Sequence, residues 1–247
     1  MAAIDIARGS KSRSRSNSRR RGILGIESAI VMIAFVVVAA ALAFVVLNAG
    51  FGTTQKSKTT ISEGLKSATG AVEVAGLVTG GGNASTGKLQ YYSIPIKLAS
   101  GAGEVNLQQA LTAVKYFSKS VNYDNIYVGT ARDGTNASYG DVLSMFADIK
   151  KADCSYDPSA AASDAINNAG TFQAPDNTCA IIWWSNSIQN NDILDGGEVA
   201  VLTIVFKASE QPEQLDVLHS ELIISGGSVL TVERSVPVIT TSVVNLG

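Results

Sequence analysis

The chain has 247 residues, of which 46% are hydrophobic and 16% charged, and its formal net charge is −2. This length suits one extended element and one domain of ordinary size. The charge is unevenly distributed: residues 1–22 hold seven Arg and Lys side chains against Asp5, whereas the remainder holds 12 basic and 20 acidic side chains. A basic head on an acidic body indicates an address signal and argues against a nucleic-acid-binding domain.

Residues 7–22, "ARGSKSRSRSNSRRRG", form an arginine–serine tract of the kind that can hold RNA by counterion release. No aromatic side chain interrupts the tract to stack on bases. The tract also precedes a membrane-length segment, where basic residues keep the N-terminus in the cytoplasm. We therefore expect no nucleic-acid partner.

Residues 29–47, "AIVMIAFVVVAAALAFVVL", form an uninterrupted apolar run. At about 1.5 Å per residue, a helix of this length roughly spans a bilayer core. Three interpretations compete: a secretory signal cut after the run, a permanent one-helix anchor, and cleavage between Gly22 and Ile23 that leaves the apolar helix on the mature protein. A secretory signal would have a shorter core and a small residue where Leu47 stands.

Glu27 distinguishes these interpretations, because an unpaired carboxylate in lipid is costly and such residues are usually paired. Cleavage after Gly22 would create an α-amine on Ile23, four residues earlier, as a partner on the same or a neighbouring chain. A carboxylate near a helix N-terminus is also favoured by the helix dipole alone. The two roles are compatible.

The stretch "RRRGILGIESAIVMIAFVVVAAALAFVVLNAG" resembles the class III leader and N-terminal helix of archaellins, the subunits of the archaeal motility filament, which are similar here to type IV pilins. The resemblance implies a signal peptide over residues 1–22, removed by a prepilin-peptidase-like enzyme between Gly22 and Ile23. Gly25 matches archaellins, and Glu27 stands where type IV pilins carry a glutamate; both are expected to act in assembly. The 22-residue leader is longer than is usual in that family.

The helix is expected to continue beyond the membrane segment. Five residues lie at helical spacing and form an apolar stripe: Ile61, Leu65, Ala68, Val72 and Ala75. We therefore predict one polymerisation helix over residues 23–78, with a bend or frayed point at Gly50 and Gly52 because each glycine weakens a helix by about 1 kcal/mol. Residues 79–87, "TGGGNASTG", are predicted to be a linker.

Residues 88–247 are predicted to form an outer domain. Short strand-like runs bounded by Gly, Asn, Asp and Ser favour an antiparallel β-sandwich, and the runs include "KLQYYSIPIKLAS", "VLSMFADI", "CAIIWWSN" and "EVAVLTIVFKA". Pro95 suggests an edge or a bulge in the first of them. The resemblance to archaellins implies an immunoglobulin-like domain. The predicted fold class is thus α+β, a long N-terminal hydrophobic helix followed by an immunoglobulin-like antiparallel β-sandwich.

Two features of this domain suit an exported protein. Asn83 and Asn136 begin Asn-X-Ser sequons in polar, turn-rich contexts and are predicted to carry N-glycans. Cys154 and Cys179 are the only cysteines and can form one disulfide closing a loop of 25 residues, although two buried free thiols fit the sequence as well.

The sequence suggests no catalytic site, cofactor or metal. The sole histidine, His219, has no evident Ser or Cys partner motif, and the acidic run 190–198, "NNDILDGGE", lacks the ligand spacing of an EF-hand. It is better interpreted as a tight turn before a strand. Of Trp183 and Trp184, one is expected to face the core and the other an interface or a sugar.

Together, these features predict a structural subunit, an archaellin, that assembles with copies of itself into a helical surface filament. The expected partners are the processing enzyme, a membrane assembly platform with its ATPase, and an N-glycan; the precursor is expected in the cytoplasmic membrane and the filament outside the cell. The alternative is an adhesive type IV pilin. A membrane-anchored binding protein is a further rival, but it would not need the apolar stripe.

Overall fold

The structure is a computed structural model that describes residues 18–69, 72–132, 138–225 and 227–247. The chain divides into two compact units, one ending at Ile61 and the other running from Ser62 to Gly247. The described part of the first unit, residues 18–61, belongs to a single helix. The second contains the end of that helix and all the described β-strands.

Helix α1 (Ser18–Thr69) is continuous over 52 residues. Of the bend or frayed point expected at Gly50 and Gly52, the frayed point is wrong, because both glycines lie inside the helix. The hydroxyl of Thr53 donates to the carbonyls of Ala49 at 2.8 Å and Gly50 at 3.0 Å, and Thr54 donates to Gly50 at 2.8 Å. These bonds fix the threonine side chains against the turn that contains the glycines.

The prediction that the helix reaches residue 78 is wrong, since α1 ends at Thr69 and Val72–Val74 is a strand, β1. Gly70 follows Thr69 in the sequence, and glycine commonly stands just after a helix end. Val72 is buried and pairs with Leu98 across the sheet. The apolar stripe is therefore shared between two elements, because β-branched valines fit a pleated surface better than a helix.

The predicted linker over residues 79–87 is also corrected, because Thr79–Asn83 is strand β2 of the main sheet. Its glycines reflect close packing. A Cβ on Gly81 would lie 2.2 Å from Cε1 of Tyr91, and one on Gly80 would lie 2.8 Å from the Tyr91 carbonyl. Only a residue without a side chain fits where a neighbouring ring and backbone approach this closely.

The remaining elements complete the second unit. They are β3 (Lys88–Leu98), β4 (Val105–Asn106), β5 (Thr112–Phe117), β6 (Asn122–Tyr123), β7 (Tyr127–Ala131), α2 (Val142–Ala147), β8 (Asn167–Asn168), β9 (Thr171–Phe172), β10 (Cys179–Asn186), β11 (Ile193–Leu194), β12 (Val199–Val205), β13 (Val217–Ile224), β14 (Leu230–Ser235) and β15 (Val243–Asn245).

Two sheets form the sandwich. The seven-stranded sheet has the order β15-β2-β3-β12-β10-β7, with β1 paired to β3, and the four-stranded sheet has the order β14-β13-β5-β6. The predicted antiparallel β-sandwich is confirmed, with one exception, since β7 and β10 are parallel. Parallel neighbours need a long crossover, which the chain between β7 and β10 supplies. We call its described part, residues 138–178, the insertion.

Pro95 lies in the middle of β3, opposite Val201 of β12. The other edge of β3 changes partner here, from β2, which pairs as far as Ser93, to β1, which begins pairing at Ile96. The Pro95 carbonyl points to this gap and accepts the backbone N–H of Ala75 at 2.7 Å. The missing N–H of proline therefore falls where no ladder bond is required.

The main core lies between the sheets. Strands of both sheets contribute alternate buried side chains, among them Tyr92, Ile94 and Ile96 from β3, Val114 and Tyr116 from β5, Leu202 and Ile204 from β12, and Leu218 and Leu222 from β13. Phe206, just after β12, stacks on Tyr92 with ring centroids 5.8 Å apart. This apolar layer is the sandwich core that the alternating strand pattern predicts.

A second core covers the opposite face of the seven-stranded sheet. Helix α2 of the insertion buries Met145 and Phe146 there, and the Phe146 ring meets Tyr91 edge to face at 5.0 Å. The sequence analysis predicts a strand over "VLSMFADI", and this prediction is wrong. The helix forms because Asp141 caps it, accepting the Ser144 N–H at 2.6 Å while the Asp141 N–H donates to the Ser144 hydroxyl at 3.3 Å.

Trp183 and Trp184 alternate across β10, and each faces one core. Trp184 is fully buried, and Trp183 is only 5% exposed, with its Nε1–H donating to Thr203 Oγ1 at 2.9 Å. The expectation that one of them faces an interface or a sugar is therefore wrong for this chain. The covering insertion, which sequence periodicity does not reveal, buries the second tryptophan.

Candidate assembly helix and modification sites

Helix α1 presents an apolar surface that the described chain leaves uncovered. The thirteen large apolar side chains from Ile30 to Leu47 are 57–74% exposed. Phe35, at 74%, is the most exposed of them. The stretch Gly25–Leu65 contains a segment long and apolar enough to cross a membrane. A helix that is apolar all round requires lipid or other helices around it.

Five hydroxyl groups on this helix are bonded to carbonyls of the helix itself. Ser28 donates to the Gly25 carbonyl at 3.0 Å, and Thr59 and Thr60 donate to carbonyls one turn earlier at 3.1 and 2.9 Å. Thr53 and Thr54 do the same at Ala49 and Gly50. Side chains bonded in this way do not present unpaired donors to an apolar environment.

Small residues make parts of the surface suitable for close approach. A Cβ placed on Gly25, Gly50 or Gly52 would meet no atom within 4 Å. Ala39, Ala40, Ala41 and Ala43 lie between the large side chains of the apolar run. Interfaces between membrane helices are enriched in such residues because their backbones can come close together.

Glu27 is exposed in the first part of the described helix. None of the ion pairs between the described side chains of residues 25–65, 72–132, 138–225 and 227–247 involves Glu27. Gly22 and Ile23 lie in the same helix one turn earlier, and the Ile23 nitrogen is there a peptide amide. The pairing with a free α-amine is thus a property of a processed chain and stays a prediction, as does the cleavage.

The two cysteines are joined in the structure, which is the first of the two arrangements that the sequence leaves open. Cys154 of the insertion and Cys179, the first residue of β10, form a disulfide with Cα atoms 6.3 Å apart. Cys154 adopts φ 54°, in the left-handed region. The bond ties the insertion to the strand at which the chain returns to the sheet.

Of the two sequon asparagines, Asn83 alone lies among the residues that the structure describes. Asn83 is the last residue of β2, and its Oδ1 accepts the backbone N–H of Ser85 at 2.9 Å. The turn after it is completed by the Gly87 N–H, which donates to the Asn83 carbonyl at 2.8 Å. Asn136 lies outside the described residues. Glycosylation of either asparagine stays a prediction.

The acidic run 190–198 has a structural role. The buried Glu198 carboxylate accepts the backbone N–H groups of Ile188, Gln189 and Asp195 at 2.6, 3.0 and 3.1 Å. Burial alone would raise the pKa of Glu198, but these donors and the Ser187 hydroxyl outweigh it and hold the pKa below its usual value. Among the residues described, no group of three acidic, His or Cys side chains is placed to hold a metal.

Asp192 of the same run binds Arg132, with Nε to Oδ1 at 3.2 Å, and the Arg132 guanidinium lies 3.9 Å from the centre of the Trp184 ring. The sequence analysis did not identify Arg132. Its partner is 60 residues away, so no local spacing signals the pair.

His219 lies on the outer face of the four-stranded sheet. Its Nε2 is 3.2 Å from Glu221 Oε1 and its Nδ1 is 3.4 Å from Glu233 Oε2. The pKa of His219 is raised, mainly by the hydrogen bond to Glu221 and, against partial desolvation, by the bond to Glu233. This environment is an ion cluster on a sheet surface, and no hydroxyl or thiol is bonded to the imidazole among the described residues.

Comparisons with known proteins identify the relatives of this fold. The archaeal-type flagellin family matches residues 22–234. The probable flagellin 1 of Aeropyrum pernix is 49% identical over 120 residues, 49% of this chain and 58% of that protein, and the probable flagellin 1 of Archaeoglobus fulgidus is 36% identical over 94 residues, 38% and 46%. The chain thus matches about half the length of these curated relatives.

A solved structure shares the fold. The archaeal flagellin FlaB1 from Methanocaldococcus jannaschii superposes with a TM-score of 0.51 at 14% identity, over 71% of this chain and 95% of that one. At this identity the match supports the helix-plus-β architecture alone.

Proposed function

The chain belongs to the archaeal-type flagellin family, and on that basis we propose that it is a structural subunit of the archaeal motility filament, assembled through its N-terminal helix. The observation that carries the proposal is the uncovered apolar surface from Ile30 to Leu47. It is followed in the chain by a β-domain, formed by strands β1–β15 and helix α2, that buries its own core. The β-domain can fold in water without a partner. The apolar helix requires lipid around it before assembly and neighbouring copies afterwards.

The energetics suggest how assembly proceeds. Burying a large apolar side chain stabilises by about 1.5–3 kcal/mol relative to water, but lipid and a helix bundle satisfy this requirement equally well. Transfer from membrane to filament therefore gains mainly from packing at small residues such as Ala39–Ala41 and Ala43 and from pairing of polar groups. A membrane platform driven by an ATPase would extract subunits, and the water around the filament would then retain them.

Processing supplies the polar pairing. We place the cut between Gly22 and Ile23, made by a prepilin-peptidase-like enzyme, so that the new Ile23 ammonium can meet Glu27 of its own or a neighbouring chain. The apolar helix after the cut first anchors the precursor in the cytoplasmic membrane. The β-domain then lies outside the cell, and Asn83 and Asn136 can receive N-glycans there.

The first experiment is mass spectrometry of filaments sheared from cells, which should find Ile23 at the N-terminus. Gly22→Val should leave precursor in the membrane and no filaments. Glu27→Ala should reduce filament yield, whereas Glu63→Ala, which removes an exposed carboxylate later in the same helix, should not. Filaments whose subunits begin at Met1 or after residue 47 would contradict this route.

Motility distinguishes the proposal from its alternative. Deleting the gene should abolish swimming; loss of surface attachment alone would instead indicate an adhesive pilin, which the family match does not favour. The family is one of structural flagellins, so we propose that the chain acts by polymerising and catalyses no reaction.

A further inference from the structure

A groove lies beside Asn83 on the surface of the β-domain. It has a volume of about 470 Å³ and runs between the β2–β3 hairpin and strand β9 of the insertion. We call it the Asn83 groove; its principal residues are Gly82, Asn83, Gln90, Tyr91, Phe172 and Val243. The proposed assembly function assigns it no role.

The groove has a rigid aromatic floor. The Tyr91 ring packs against Phe146 at 5.0 Å and Phe172 at 5.6 Å between ring centroids. It also lies so close to Gly81 that a Cβ there would overlap it. Tyr91 is 9% exposed and Phe172 is partly exposed, so an edge of this cluster faces the groove. An aromatic surface of this kind packs well against the C–H face of a sugar ring.

Polar groups surround the floor. Gln90, Thr171 and Ser242 line the groove with Asn83, and residues of these types carry amide and hydroxyl groups of both donor and acceptor character. Sites for small ligands combine apolar walls with a few polar groups in this way. A sugar has the same two-sided chemistry, since its ring presents apolar C–H faces and its edge presents hydroxyls.

Asn83 forms part of the groove wall and begins the sequon Asn83-Ala84-Ser85. Two bonds hold it in place: its Oδ1 accepts the Ser85 N–H at 2.9 Å, and its carbonyl accepts the Gly87 N–H at 2.8 Å. A sugar attached to Nδ2 would start from a fixed position on the wall. Such a tether gives the attached rings a high local concentration at the groove.

We propose that the first sugar rings of a glycan on Asn83 lie in the Asn83 groove and contact Phe172 and Tyr91. This inference rests on the proposed glycosylation. In that step a glycosyl phosphate donor supplies the sugar: the bond between its anomeric carbon and phosphate oxygen breaks, a carbon–nitrogen bond to Nδ2 forms, and Nδ2 releases one proton. The bound glycan links the β2–β3 hairpin to the insertion.

The test compares three full-length proteins made in an N-glycosylating archaeal host. Ser85→Ala removes the sequon but keeps the backbone N–H that bonds to Asn83, and Ser85→Thr preserves the sequon. Hydrogen exchange is measured on detergent-dissolved subunits and on filaments, with glycopeptide mass spectrometry of Asn83. We expect amides near Thr171 and Gln90 to exchange at least about threefold faster in Ser85→Ala than in the other two, with β13 and β14 unchanged.

The outcomes separate the groove from the glycosylation. Equal exchange in all three proteins, with Asn83 shown to be modified, would overturn the groove and leave the glycosylation standing. An unmodified Asn83 in the unsubstituted protein would overturn both. Protection of the groove in Ser85→Ala filaments, but not in Ser85→Ala subunits, would assign it to a neighbouring copy and also overturn the proposal.

Discussion

The helix and the β-domain solve the problem of apolar surface in opposite ways. In the β-domain, Trp184, Tyr92 and Ile94 are at most 1% exposed, because two sheets and an insertion cover one another. In the helix, Phe35 and Phe44 are 74% and 71% exposed. Apolar residues of the β-domain stabilise its fold, whereas those of the helix require lipid or other helices around them. Substitutions placed in the two regions should therefore be detected by different measurements.

The largest effect is expected in the β-domain core. Trp184→Ala removes a fully buried ring, and we expect it to lower the free energy of unfolding by about 3–5 kcal/mol. Phe35→Ala is the matched control, because it removes a ring that is 74% exposed in the single chain. Near-ultraviolet circular dichroism of the detergent-dissolved chain during denaturant unfolding would measure both. Comparable losses would mean that the helix contributes to the domain core.

An acidic substitution should affect filament yield more strongly in the helix than on the β-domain surface. Phe35→Asp places a charge at the centre of the apolar run, which costs about 2.5–3.5 kcal/mol in a membrane helix, and filaments should be lost. Leu215→Asp, at a side chain 79% exposed on the β-domain, should leave filament yield unchanged. Leu215 has φ 68°, which Asp tolerates well, so the control adds no backbone strain. Electron microscopy of sheared material counts the filaments.

The disulfide should have a smaller effect, confined to the β-domain. Replacing both Cys154 and Cys179 by Ser should lower the free energy of unfolding by about 3 kcal/mol on the chain-entropy model for a loop of 25 residues. Reductant should lower the melting temperature of the unsubstituted protein to that of the double variant. It should leave the melting temperature of the double variant unchanged. A melting temperature insensitive to reductant would contradict the prediction.

The smallest effect concerns pH. The folded-state pKa of His219 is raised, so its pairs with Glu221 and Glu233 stabilise the domain fully below the unfolded-state pKa of about 6.5, and this stability is lost as pH rises through the folded-state pKa. Lys115, opposite Glu221 on β5, also faces this cluster. His219→Gln should remove less than about 1 kcal/mol at pH 5.5 and nothing at pH 9. An equal loss at both pH values would show a packing role.

The sequence predicted the helix and most strands because their signals are local. The apolar run 29–47 and the alternation in "KLQYYSIPIKL" each lie in one stretch of chain. The errors lie where distant contacts decide. Val72–Val74 becomes a strand because β3 offers a partner, and the glycines of β2 are fixed by the Tyr91 ring. The capping pair Asp141–Ser144 was visible in the sequence and could have identified α2.

The candidate sites follow the same division. The apolar helix and the sequons could be identified from residue types alone, whereas burial of Trp183 required knowing that the insertion covers the second sheet face. The hydrogen bonds that Glu198 accepts from the loop before it could not be predicted from the sequence either. An acidic residue beside glycines suggests a turn, but its backbone donors are set by the fold.

The insertion offers a practical consequence. It leaves the sheet after β7 and returns at β10, and the disulfide fastens it at the return point. Pro158 and Ser159 form an exposed turn within it. A short foreign peptide spliced at this turn would be carried once by every copy in a polymer. The fibre would then become a dense, regularly spaced scaffold for multivalent binding, in which many weak contacts act together as avidity.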